Sequence, residues 1–252
     1  MNWEFYRQAV GDQLVQCPSS GLAPHPNQLV TDTRKILPGQ WFVPLQGQNF
    51  DGHDYLATAK EQGAAGIYTE TGRSDASGFP VDQQMIVKDT LVALQMTAAA
   101  YRKTLTQTTV FAMTGSAGKT TTKAILEAIC HHVDSKTHAL PGSFNNEIGV
   151  PLTVLSCPPD SRYLVVEFGA ERPNDIGFLA NMITPDVVAC LNVGSAHLEI
   201  FGSRQALFET KVEILRQGKP DSKIVPYADD SAILQAAKDT GKAVTSFGVS
   251  QD

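Results

Sequence analysis

Continuous apolar runs mark the second half of the chain. Thr109-Val110-Phe111-Ala112-Met113, Tyr163-Leu164-Val165-Val166 and Val187-Val188-Ala189-Cys190-Leu191 show no polar alternation, the pattern of parallel strands covered on both faces. Lys223-Ile224-Val225 and Ala243-Val244-Thr245-Ser246-Phe247 read as further strands, and helices are predicted over 119–133, 203–217 and 230–240. Strands alternating with helices predict an α/β fold with an open, mostly parallel sheet. The first part is less regular. Gln40-Trp41-Phe42-Val43-Pro44-Leu45 and Gly66-Ile67-Tyr68-Thr69 are strand-like, with a helix over 55–62 between them. A turn-rich stretch over 71–78 separates these from Gln84-Met85-Ile86-Val87, and a helix over 90–104 leads into the second half. The domain boundary is expected near residue 84, giving a small α/β domain at 1–84 and a larger one at 85–252.

The strand ending at Met113 runs straight into Thr114-Gly115-Ser116-Ala117-Gly118-Lys119-Thr120-Thr121, where a helix opens. Backbone amides at a helix start point at an anion, and the helix dipole favours negative charge there. Gly115 and Gly118 permit close backbone approach, Lys119 supplies a cation, and the Thr120 hydroxyl suits Mg²⁺. The chain is therefore expected to bind a nucleoside triphosphate. The general phosphate-loop pattern has a further glycine where this chain has Met113.

Composition narrows the setting. The chain has 252 residues, 42% hydrophobic and 18% charged, with a formal net charge of −6, which argues against a general nucleic-acid binder. No apolar run approaches membrane-spanning length, and Met1–Arg7 lacks the apolar core of a signal peptide. Cys17, Cys130, Cys157 and Cys190 are scattered, fitting reduced, mostly buried thiols in a cytoplasmic protein.

Ligands of open α/β sheets lie beyond the carboxyl ends of the strands. Glu167 ends one run, and Asn192 ends another with His197 soon after. A carboxylate and an imidazole on that edge suit Mg²⁺, although a solvated strand-end charge and a hydrogen-bonded loop histidine are the plainer alternatives. Leu207, Lys211 and Leu215 share one helical stripe. Pattern alone favours a lysine snorkelling past its apolar neighbours over a desolvated amine. Asn145 and Asn146 open a polar loop that reads by itself as a turn and helix cap.

Taken in order, TGSAGKTT, GSFNNEIGVPLT, VVEFGA, AHLEIFGS and ETKVEIL resemble the Mur ligase family. FNNEIGVPLT is most similar to the member that joins D-alanyl-D-alanine to UDP-N-acetylmuramoyl-tripeptide. Thr31-Asp32-Thr33-Arg34-Lys35, the stretch over 38–47 and Phe50-Asp51-Gly52-His53-Asp54 resemble that family's UDP-substrate domain. The resemblance implies a UDP-binding domain followed by an ATPase domain, and amide formation through an acyl phosphate. It assigns Gly115, Ser116, Ala117, Gly118, Lys119, Thr120 and Thr121 to ATP. Thr120, Glu167, His197 and a carbamylated Lys211 go to Mg²⁺. Asn145 and Asn146 go to the muramoyl-peptide end, and Thr33, Arg34, Gly47, Asp51, Gly52 and His53 to the UDP moiety. Lys119, Lys211, His197 and Asn146 are the implied catalytic group, and a monomer is expected. Glu171-Arg172 and Tyr227-Ala228-Asp229 depart from the family's usual Asn-His and Asn-Ala-Asp. The family's closing C-terminal domain has no counterpart in these residues, so the chain alone is expected to show no ligase turnover. Two other readings are the related ligase that adds the third peptide residue and a non-catalytic module that binds UDP-muramoyl peptide or ATP.

Overall fold

The computed structural model describes residues 1–73, 78–194 and 201–249, and the chain divides into two units, Met1–Thr104 and Leu105–Asp252. Each unit contains a five-stranded sheet. The division falls after Thr104 rather than near 84. The strand at Gln84–Val87 pairs inside the first sheet, and the helix at Thr90–Thr104 packs on it.

In the first unit, α1 (Trp3–Val10) starts where the Asn2 side chain accepts the Phe5 amide, and it buries Trp3, Tyr6 and Val10 along one face. Strands β1 (Leu14–Gln16), β2 (Leu29–Val30), β3 (Trp41–Phe42), β4 (Gly66–Glu70) and β5 (Gln84–Val87) lie in the order β1-β5-β4-β3-β2. Only the β1–β5 pairing is antiparallel. β3 is shorter than the apolar run over 40–45, and Pro44 has no amide hydrogen with which to extend its ladder. Helices α2 (Leu56–Glu61) and α3 (Thr90–Thr104) complete the unit. Ile36, Phe42, Leu56, Ala59, Ile67 and Phe79 form one part of its core, and Thr90 Oγ1 ties α3 to Pro44 O at 2.6 Å.

The second unit runs β6 (Thr109–Thr114), α4 (Lys119–Val133), β7 (Thr137–His138), α5 (Gly149–Leu155), β8 (Tyr163–Glu167), α6 (Asp175–Ile183), β9 (Val187–Cys190), α7 (Arg204–Arg216), β10 (Lys223–Pro226) and α8 (Ser231–Lys238). Its sheet is wholly parallel, in the order β10-β9-β6-β8-β7. Strand alternation divides the core: Met113 and Val165 meet Cys130 of α4 on one face, with Phe111, Tyr163 and Ala189 packed against them. Residues 243–247 form two isolated parallel bridges, Ile224 to Val244 and Tyr227 to Phe247, rather than the expected strand. The sequence reading also missed α6, a nine-residue, mostly apolar segment too short to be told from a buried strand by pattern alone. The chain leaves β6 for β7 at one edge and β9 for β10 at the other, so the crevice beyond the strand ends falls at β6. Among the described residues no helix is long and apolar enough to cross a membrane.

Candidate functional site

The phosphate loop joins β6 to α4. Gly118 sits at φ +80°, a left-handed conformation that costs glycine little, and it turns the chain into the helix at Lys119. The first amides of α4 lack intrahelical acceptors, as at any helix start. The loop's own amides are used differently from the sequence expectation. Ser116 N donates to Asn192 O at 3.2 Å and Ala117 N to Asn192 Oδ1 at 3.0 Å. Asn192 Nδ2 returns a bond to Ala117 O at 3.0 Å, and Ser116 Oγ accepts the Gly194 amide. Asn192, read in the sequence only as a strand end, therefore holds the loop from β9. Lys119 Nζ donates to Gly115 O at 2.8 Å.

Beyond the ends of β6 and β8 lies a cavity of about 200 Å³, lined in part by Lys119, Asn145, Asn146, Gly169, Asp175 and Lys211. Glu167 ends β8 and is 1% exposed. Its Oε1 accepts from Asn145 Nδ2 at 3.1 Å, whereas its buried Oε2 has no partner. An unpartnered buried carboxylate oxygen is costly unless something else satisfies it. The Thr120 hydroxyl lies 3.3 Å from Ser143 Oγ. No group of three or more His, Cys, Asp or Glu side chains among the described residues is arranged to hold a metal by itself. One carboxylate and one hydroxyl nevertheless fit Mg²⁺, which takes few protein oxygens and completes its shell with phosphates and water.

Lys211 does not snorkel. It is 2% exposed on α7 and lines the cavity with Lys119. Burial, reinforced by the charge of Lys119, pulls its ammonium down to about 8. Burial also lowers Lys119, with Glu167 opposing the shift. Asn146 keeps the plainer role as well: its Oδ1 accepts the amides of Ile148 and Gly149 at 3.2 and 2.9 Å, capping α5. His197 lies outside the described residues. Asp175, Phe178 and Leu179 also line the cavity and were not singled out in the sequence, because they sit on the unrecognised α6.

In the first unit, an open pocket of about 410 Å³ is lined by Thr31, Asp32, Thr33, Arg34, Phe42, Phe50, Gly52 and Tyr55. It brings together Thr33, Arg34 and Gly52, but not Gly47, Asp51 or His53. Asp51 is committed elsewhere, accepting from His53 N and facing His53 Nδ1, both at 2.9 Å, and accepting from Arg73 Nη1 at 2.5 Å. Burial pushes its carboxyl up, but these bonds outweigh burial and hold it down to about 2. Gly47 lies against the Phe50 ring. Arg34 makes two 2.9 Å bonds to Asp32, a pairing visible in sequence only as opposite charges two positions apart.

A phosphate loop at the switch point of a parallel sheet, beside a buried carboxylate and two half-buried or buried lysines, is the arrangement of the nucleotide-binding class of α/β proteins. The Mur ligase middle domain matches residues 113–252, and the chain belongs to the Mur ligase family. It is similar to the UDP-N-acetylmuramoyl-tripeptide–D-alanyl-D-alanine ligase of Bacillus subtilis, with 38% identity over 209 residues, covering 83% of this chain and 45% of the relative. A crystal structure of MurF from Acinetobacter baumannii superposes with a TM-score of 0.81 at 30% identity, covering 98% of this chain and 53% of that one. MurF ligase from Thermotoga maritima, in complex with ADP, gives 0.76 at 33% identity over 90% and 52% of the two chains. The chain spans about half the length of the curated relatives it matches.

Proposed function

We propose that this chain carries the UDP-substrate and phosphate-loop parts of a ligase that joins D-alanyl-D-alanine to UDP-N-acetylmuramoyl-tripeptide at the expense of ATP. The observation that carries the reading is the cavity beyond β6 and β8, where Lys119 and Lys211 face one space beside the unpartnered Glu167 Oε2. Two anions must meet in this reaction. A carboxylate oxygen of the peptide attacks the γ-phosphorus and ADP leaves; the free amine of D-alanyl-D-alanine then attacks the acyl carbon, loses a proton, and phosphate leaves. Lys119 is assigned to the β- and γ-phosphates, with the start of α4 supplying amides from Gly118 to Thr121. Release of the Ser116 and Ala117 amides from Asn192 would add donors.

Thr120 Oγ1 and Glu167 are assigned to Mg²⁺, with Asn145 orienting the carboxylate. When bound, the ion neutralises phosphate charge and aligns the transfer. A lysine with its pKa near 8 offers enough neutral amine to take up carbon dioxide, which supports carbamylation of Lys211. His197 keeps its assignment to a second metal, and Asn145 and Asn146 theirs to the muramoyl-peptide end. Thr33, Arg34 and Gly52 are assigned to the UDP moiety, joined by Phe50 and Tyr55 of the same pocket. The match to the tripeptide ligase in sequence and in superposition favours it over the enzyme that adds the third residue.

Calorimetric titration of the chain with UDP-N-acetylmuramoyl-tripeptide and with the corresponding dipeptide tests this reading. The tripeptide form is expected to bind more tightly. Equal or tighter binding of the dipeptide form would contradict the assignment.

A further inference from the structure

Lys123 lies one turn beyond Lys119 on α4, and no nucleotide or substrate role accounts for it. It is 4% exposed, and lysine is rarely that buried unless paired. Its Nζ donates to Leu140 O at 2.7 Å and to Gly142 O. These two carbonyls belong to the loop between β7 and α5, and Gly142 turns that loop at φ +82°. Immediately after the turn come Ser143, facing the Thr120 hydroxyl, and Asn145, bonded to Glu167. The far end of the loop is fixed separately, by Gly169 N donating to Asn145 O at 2.7 Å and by the Asn146 cap on α5.

We propose that Lys123 is a positioning residue: its buried side-chain nitrogen clamps the Leu140–Gly142 turn onto α4 and so sets Ser143 against Thr120 and Asn145 against Glu167. The inference rests on the nucleotide and Mg²⁺ reading above, and it identifies what holds the outer partners of both oxygen donors. Such partners tune metal affinity because they fix the direction of the ligand lone pairs. A lysine that merely filled the core would change stability without separating metal-dependent from metal-free nucleotide binding.

The test is calorimetric titration of the full chain with ADP, once in EDTA and once in Mg²⁺. Lys123→Met removes both donors while keeping most of the aliphatic stem. It is expected to bind ADP in EDTA as wild type does, because Lys119 and the α4 amides are untouched. The gain in affinity that Mg²⁺ confers should fall on the order of tenfold. Lys123→Arg retains donors for both carbonyls and is expected to recover much of that gain. Should Lys123→Met not fold, Gly142→Ala carries the test. An added Cβ there meets nothing within 4 Å, yet the left-handed conformation strains alanine and disturbs the same turn from outside. The same selective loss is expected. A Mg²⁺ gain equal to wild type in folded Lys123→Met, or in Gly142→Ala, overturns the proposal. No ADP binding by wild type in either medium overturns the nucleotide reading instead, and this inference with it.

Discussion

Lys211 shows how one side chain can be visible in sequence while its state is not. The stripe of Leu207, Lys211 and Leu215 places the lysine among apolar residues, but a helical period does not say whether the amine escapes to water. The fold closes that route, leaving the residue 2% exposed. The consequence for stability has a definite sign. With the folded pKa near 8 and the unfolded value near 10.5, both states carry the proton below pH 8, and the fold bears the full cost of a buried charge. Between pH 8 and 10.5 the folded chain has released its proton while the unfolded chain keeps it, so stability rises with pH across that window, by about 3 kcal/mol at most. Lys211→Met lacks this term. Denaturant unfolding in CO₂-free buffer is expected to show the variant's advantage over wild type greatest below pH 8 and shrinking above it. A difference that stays constant from pH 7 to 10 would show that Lys211 is not desolvated. Asn145 and Glu167, 22 residues apart, and Asn192 and Ala117, 75 apart, form pairs that no local pattern encodes.

At the scale of elements, β6, β8 and β9 were legible because a strand covered on both faces must be apolar throughout. Helices α3 and α4 were legible because each runs for 15 residues, too long for a strand. Three short elements were not: β1, β2 and β7 span two or three residues and exist through their neighbours, whereas the equally short β3 lies within a longer apolar run. Helix α6 depends on a neighbour in a further way. Asn174 at its start has φ 72° and offers no side-chain cap. Glu213 reaches across from α7 instead, accepting the Asn174 amide at 3.0 Å and the Gly177 amide at 2.8 Å. Burial raises the Glu213 carboxyl, and those two amides oppose the shift. Removing the acceptor leaves the exposed Asn174 amide to water but strands that of buried Gly177, so Glu213→Ala is expected to cost about 1–3 kcal/mol. Glu213→Gln, with one carbonyl oxygen left, should lose less. Urea unfolding of the two variants checks this, and equal stability of Glu213→Ala and wild type would exclude the cross-helix cap.

For the whole molecule, the two-part organisation was legible as a change in texture, but its border was misplaced. The turn-rich stretch over 71–78 is local punctuation, whereas membership of β5 and α3 in the first unit is decided by strand pairing and packing. The strand–loop–helix geometry around Gly118 was legible because its parts are contiguous in sequence. The first unit's pocket was legible only in part, since Asp51 and His53 turn out to bond each other rather than line it. What unites the second unit is a parallel sheet at whose switch point the phosphate loop, with Lys119 and Thr120, meets the end of β8, with Glu167; we assign all three to one Mg-nucleotide. Titration calorimetry of Mg-ATP into the wild-type chain and Lys119→Ala tests that claim most directly. Loss of one charge-assisted contact to phosphate is worth about 1.5–3 kcal/mol, so affinity is expected to fall by about ten- to a hundredfold with the fold intact. Unchanged Mg-ATP affinity in a folded Lys119→Ala chain would contradict the placement of the nucleotide at this loop.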